Sequence, residues 1–335
     1  MVEHACIAIG IDGYDRWQPL RYAQADAGAF QQCVSAIAKI PKSRTWLLTQ
    51  TSPKRAGHST YPTLENIEKA ISQICTLPLQ PEDILWCFFC GYGANYLGKD
   101  YLIPIDGNPE DISETGISVE SFLNRLGQAR TQNLRVFLDI SRPTGKYAGT
   151  GIGSETLELA YKLDIAIVLS CQPGQFSHET SALDGGLFTA ALVEALHDRK
   201  SSTLESLDRY LRDRLPQLCD HHWRPQQDPV TVVRQEELLH QSLFPGVGTT
   251  APESENPETE TESQPTPTQT PLPHPKPTPS SSPEWERWLW WGGLVAAIVL
   301  LGVLLAREIS SKDRSPSQDA SDTSDFPKTE TLDLS

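Results

Sequence analysis

Three stretches of the chain are apolar almost without interruption: residues 83–90 (DILWCFFC), 134–140 (LRVFLDI) and 164–171 (DIAIVLSC). A strand wetted on one side alternates apolar with polar residues, so runs of this kind belong to strands buried on both faces. Between them lie segments with helical spacing. Residues 26–40 place Phe30, Cys33, Val34 and Ile37 on one side; Thr63 caps a segment that does the same with Ile67, Ala70, Ile71 and Ile74. Ser118 opens a helix running to residue 129, and two more follow at 186–198 and 203–218. Shorter strand patterns stand at 6–11, 45–48 and 228–233, and residues 96–105 read as a hairpin or short extension. Strands alternating with helices predict an α/β fold: a mainly parallel sheet covered by helices on both faces.

That pattern stops at residue 245. Residues 246–284 hold 10 Pro, 13 Ser/Thr and no aromatic, too little apolar surface to offset the entropy of ordering, and predict an extended disordered linker. Residues 288–306 then carry no charge over 19 positions, roughly 28 Å as a helix, about the hydrocarbon thickness of a bilayer. Trp285, Trp288, Trp290 and Trp291 gather at their start, as an interfacial belt does. Residues 285–307 are therefore expected to be a single transmembrane helix, and 308–335 a disordered polar tail. The absence of an export signal at the N-terminus leads us to expect residues 1–245 on the cytoplasmic side, which suits seven cysteines without framework spacing. Net charge is −15 for the chain and −7 for residues 1–245, which disfavours a nucleic-acid partner.

In parallel sheets, ligands sit beyond the carboxyl ends of the strands. The segments found there are IGIDGYDRWQPLRYAQADAGAF (9–30), FFCGYGANYLGKDYLIPID (88–106), VFLDISRPTG (136–145) and SCQPGQFSHETSALDGGLFTAALVEAL (170–196). Together, in this order and spacing, they resemble the caspase-like peptidases of the metacaspase and orthocaspase branch over about residues 4–235. The resemblance implies a three-layer caspase-like sandwich. It also implies a site: a His after the third strand and a Cys after the fourth, an oxyanion donor at Gly93, and a pocket for a substrate Arg or Lys formed by Asp26 and Asp139.

Two of those positions depart from the family. Tyr92 stands in the place of the His and Ser141 in the place of the Cys, followed by Arg142 and Pro143. A phenol with an ordinary pKa of about 10 keeps its proton at neutral pH, and a serine hydroxyl needs a well-placed base. The expectation is therefore a catalytically inactive caspase-like domain, tethered to a membrane through residues 288–306, that binds or scaffolds basic peptide segments or a partner protease. The alternative is a residual endopeptidase cutting after Arg or Lys. A purely structural signalling module is a third reading. The stretch where relatives carry an acidic insertion holds only Asp100 and Asp106, too few carboxylates for calcium, so neither a cofactor nor a metal is expected.

Overall fold

The computed structural model of the protein describes residues 2–140, 142, 151–197 and 201–246. All of them fall within the first of two contact units, Met1–Ser254; the second, Glu255–Ser335, contains none. Ser141, the linker beyond residue 246, the 285–307 segment and the tail lie outside the described residues. Among the described residues, no helix is long and apolar enough to cross a membrane.

The strands are β1 (His4–Gly10), β2 (Thr45–Leu48), β3 (Ile84–Cys90), β4 (Gly93–Tyr96), β5 (Lys99–Leu102), β6 (Ile117–Ser118), β7 (Asn133–Asp139), β8 (Ala166–Leu169), β9 (Glu179–Thr180), β10 (Gly185–Gly186) and β11 (Val230–Val232). The helices are α1 (Ala23–Ala38), α2 (Leu64–Cys75), α3 (Ile112–Thr115), α4 (Val119–Leu126), α5 (Ser154–Leu163), α6 (Leu187–His197), α7 (Leu204–His221) and α8 (Glu236–His240). Six strands form the main sheet in the order β11-β8-β7-β3-β1-β2. All its pairings are parallel except β11 against β8.

Both faces of this sheet are buried, and strand alternation divides the core in two. On one face Ile7, Ile9, Cys87, Phe89, Val136 and Leu138 pack with the apolar sides of α2, α4 and α5. On the other, Cys6, Ala8, Trp86, Phe88, Cys90 and Phe137 pack with α1, α6 and α7. Phe30 of α1 stacks on Phe88 at 4.7 Å. Fully burying such side chains contributes about 1.5–3 kcal/mol each. The result is the α/β sandwich expected, with helices on both faces.

The capping residues act as their positions suggest. Thr63 Oγ1 accepts from the Asn66 N–H, and Ser118 Oγ from the Ser121 N–H. The expected hairpin at 96–105 begins earlier and is larger: β4, β5 and β6 form an antiparallel three-stranded sheet of their own. Helix α5 was not expected from the sequence. Its start is held from a distance, by buried Asp100 of β5, whose Oδ2 accepts from the N–H groups of Gly153 and Thr156 and from Thr156 Oγ1.

Candidate functional site

Strands β3 and β7 end in register, with Cys90 opposite Asp139, and both side chains face the α1 side of the sheet. Asp26 sits in the first turn of α1, where the helix dipole favours a carboxylate. Its two oxygens accept from the Gly186 N–H at 3.0 and 3.1 Å. This close approach requires glycine: a Cβ at Gly186 would lie 2.8 Å from Asp26 Oδ2. The Cys90 Sγ lies 3.5 Å from Asp26 Oδ2 and 3.6 Å from Asp139 Oδ2, so its single S–H is shared between the two carboxylates. Asp26 and Asp139, widely separated in sequence, thus converge around a thiol.

The cation that answers these carboxylates comes from the chain itself. Arg142 is 1% exposed and Asp139 is 0% exposed, and Arg142 Nη2 meets Asp139 Oδ2 at 2.9 Å. The same nitrogen lies 2.8 Å from Cys90 Sγ, and Nη1 donates to Ser177 Oγ at 3.0 Å. Ser177 in turn accepts from Gln227 Nε2. Asp26, Cys90 and Asp139 form the one cluster of potential metal ligands among the described residues, and the guanidinium already occupies it. Burial works against the Arg142 charge, but the Asp139 and Asp26 carboxylates outweigh it and hold the group protonated.

Tyr92 is wholly buried and faces the other half of the core. Its ring packs edge-on against Tyr14 at 5.0 Å and tilted against Trp17 at 5.3 Å. The Tyr92 N–H donates to Tyr14 Oη at 2.7 Å. The Gly93 N–H, which the resemblance assigns to an oxyanion site, donates to the Ile140 carbonyl at 2.8 Å. That hydrogen bond ties the segment after β3 to the segment after β7. Ser141 falls between two described neighbours, Ile140 and Arg142, but is itself outside the described residues.

Above Arg142 opens a cleft of about 310 Å³ between residues 18–22 and 177–181, with Arg224 at its rim. His178 lines it, and its buried Nε2 has no hydrogen-bond partner among the described residues. Burial, with Arg224 and Arg142 nearby, lowers the His178 pKa, so the ring is neutral at pH 7. Burial pushes the Cys90 thiol well above its ordinary range, so it is not a thiolate. Asp106 Oδ1 accepts from the Leu64 N–H at 3.0 Å.

Burial, and then the neighbouring Asp139 carboxylate, push Asp26 up to about 7, against the opposing pull of the Gly186 hydrogen bond and Arg142. The folded chain therefore holds a proton here that the unfolded chain releases near pH 4. The stability this contributes is complete below about pH 4 and is lost as pH rises towards 7. Asp26→Asn keeps an acceptor for the Gly186 N–H and removes the ionisation. Its melting temperature should match wild type at pH 4.5 and exceed it at pH 8; equal differences at both would mean Asp26 ionises normally.

Arg142 was visible in the sequence only as a departure from the family motif. Nothing in local spacing says that a residue three positions after Asp139 turns back into the pocket rather than out to solvent. The family model for the caspase domain matches residues 3–239 of the chain. A paracaspase of Dictyostelium discoideum is 26% identical over 129 residues, which is 36% of this chain; the aligned part covers 28% of that protein's length.

Proposed function

The chain belongs to the caspase domain family, and from that premise we propose a member that holds other proteins rather than cleaving them, tethered to a membrane. The observation that carries this reading is the buried Arg142–Asp139 pair: one of the two carboxylates that would receive a substrate's basic side chain is already paired with a guanidinium of the chain itself. Tyr92 and Ser141, at the positions of the family's His and Cys, support it further. Acyl transfer needs an activated nucleophile, a base within hydrogen-bond reach and an oxyanion donor aimed at the reacting carbonyl. Here the phenol ring is packed under Tyr14 and Trp17, the Gly93 N–H is engaged by Ile140, and the Cys90 thiol keeps its proton. A basic peptide segment reaches Asp26 and Asp139 only by displacing Arg142, so partner proteases or other proteins are held through the surface of the domain.

The tether in this reading is residues 288–306, with the domain on the cytoplasmic side; the seven cysteines, none in a disulfide and six of them buried, suit a reducing compartment. One preparation tests both parts. Membranes from cells expressing the full chain are washed with carbonate, and the retained protein is assayed on Arg- and Lys-containing peptides beside Ser141→Ala. We expect retention in the pellet and no turnover above that of the variant. Release by carbonate would remove the tether. Turnover abolished by Ser141→Ala would establish the alternative, an endopeptidase cutting after Arg or Lys.

A further inference from the structure

Away from the Arg142 cluster, the sheet ends at β2, and a groove of about 750 Å³ runs between this edge strand, α1 and the loop of residues 52–60. Its floor is apolar: half-buried Leu47, buried Ile40 and exposed Ala36. Its rim is basic, with Lys42, Lys54 and Arg55, and no carboxylate lines it. The cause is visible in the chain. From Ala27 to Leu64 there is no acidic residue, while Lys39, Lys42, Arg44, Lys54 and Arg55 all fall within this segment. A +5 segment on a domain of net charge −7 is a strong local asymmetry.

We propose that this groove docks an extended acidic segment of a partner polypeptide, its carboxylates on Lys42 and Lys54 and its apolar side chains on Leu47 and Ala36. Recognition is by side chains and not by adding a strand to β2. Arg55 Nε already donates to the Thr45 carbonyl at 3.0 Å, and its other end reaches the Ser43 carbonyl, so this part of the edge is capped. A single-stranded nucleic acid fits less well. It needs aromatic platforms for its bases, and the nearby Trp46 is 4% exposed and covered by the Arg55 guanidinium, 3.6 Å from its ring centre. Duplex binders neutralise many more phosphates than this rim can reach. The site is separate from the Arg142 cluster, so the inference stands whether or not the domain cleaves peptides.

The test is fluorescence anisotropy of the full-length protein with a short labelled peptide of glutamate, leucine and proline. An otherwise identical peptide with glutamine for glutamate and a single-stranded oligonucleotide serve as comparisons. We expect binding of the acidic peptide alone, weakened by raising salt, because the Debye length is about 10 Å at 0.1 M. Lys42→Glu/Lys54→Glu should weaken it roughly tenfold, about 1.4 kcal/mol. Ala36→Glu, which places a carboxylate in the groove on an exposed helical position, should do the same. Absence of binding, equal affinity for the glutamine peptide, or unchanged affinity in both variants would overturn the proposal. Tighter binding of the oligonucleotide, lost in the same variants, would overturn it in favour of nucleic acid.

Discussion

Arg142→Ala should lower the stability of the domain by about 3–5 kcal/mol, the loss found when one partner of a buried ion pair is removed. Chemical denaturation at pH 8 reads this directly. The effect is large because Asp139 keeps its place on β7, opposite Cys90, and has no other cation within reach among the described residues. Removing the guanidinium also withdraws the donor to Ser177. Two companion measurements separate this cause from simple loss of packing. Agmatine, a free guanidinium on a short stem, should raise the melting temperature of Arg142→Ala and leave wild type unchanged. Arg142→Met with Asp139→Leu should recover most of the loss, since an apolar pair of similar volume needs no charge compensation. A loss under about 1 kcal/mol, in the range of a surface pair, would mean that Arg142 is not the ligand of the pocket.

Peptide cleavage should return only when three positions change together. Tyr92→His with Ser141→Cys supplies the base and thiol of the family, yet a substrate's basic side chain still meets a filled pocket. Adding Arg142→Ala should raise the rate of cleavage after Arg by about a hundredfold or more over the double variant, because nucleophile, base and substrate pocket act as a unit. Cleavage after a neutral residue should gain far less. Equal rates for double and triple variants would show that Arg142 does not control access. The Tyr92 change carries a structural cost of its own, since an imidazole leaves part of the space between Tyr14 and Trp17 empty. Cooperative melting of each variant is the check that the rates refer to folded protein.

Much of the fold was legible in the chain. The fully apolar runs at β3, β7 and β8 could satisfy themselves only as strands covered on both sides, and the helix faces of α2 and α4 were marked by spacing and by Thr63 and Ser118. What escaped was long-range. Helix α5 begins where Asp100, more than fifty residues earlier, caps it. Arg135, inside an apolar run, is buried because its guanidinium reaches the carbonyls of Leu243 and Ser242 near the end of the described chain. No window of local sequence contains either partner.

The site divides along the same line. Asp26 and Asp139, at a helix start and at a strand end, were marked in the sequence by the resemblance to the caspase-like peptidases. The family resemblance rested on the same local order of motifs. Whether the two carboxylates stood open or filled depended on the path taken after β7 and on where the side chain of Arg142 found lower free energy. The contacts with Asp139, Cys90 and Ser177 offset the lost hydration of the guanidinium only because β3, β7, α1 and the 177–186 segment converge there. Sequence determined which charges the domain carries and on which elements. Tertiary structure alone decided that Asp139 is answered by a cation of the chain itself, because a desolvated charge is stabilised by partners that only the folded topology brings within 3 Å.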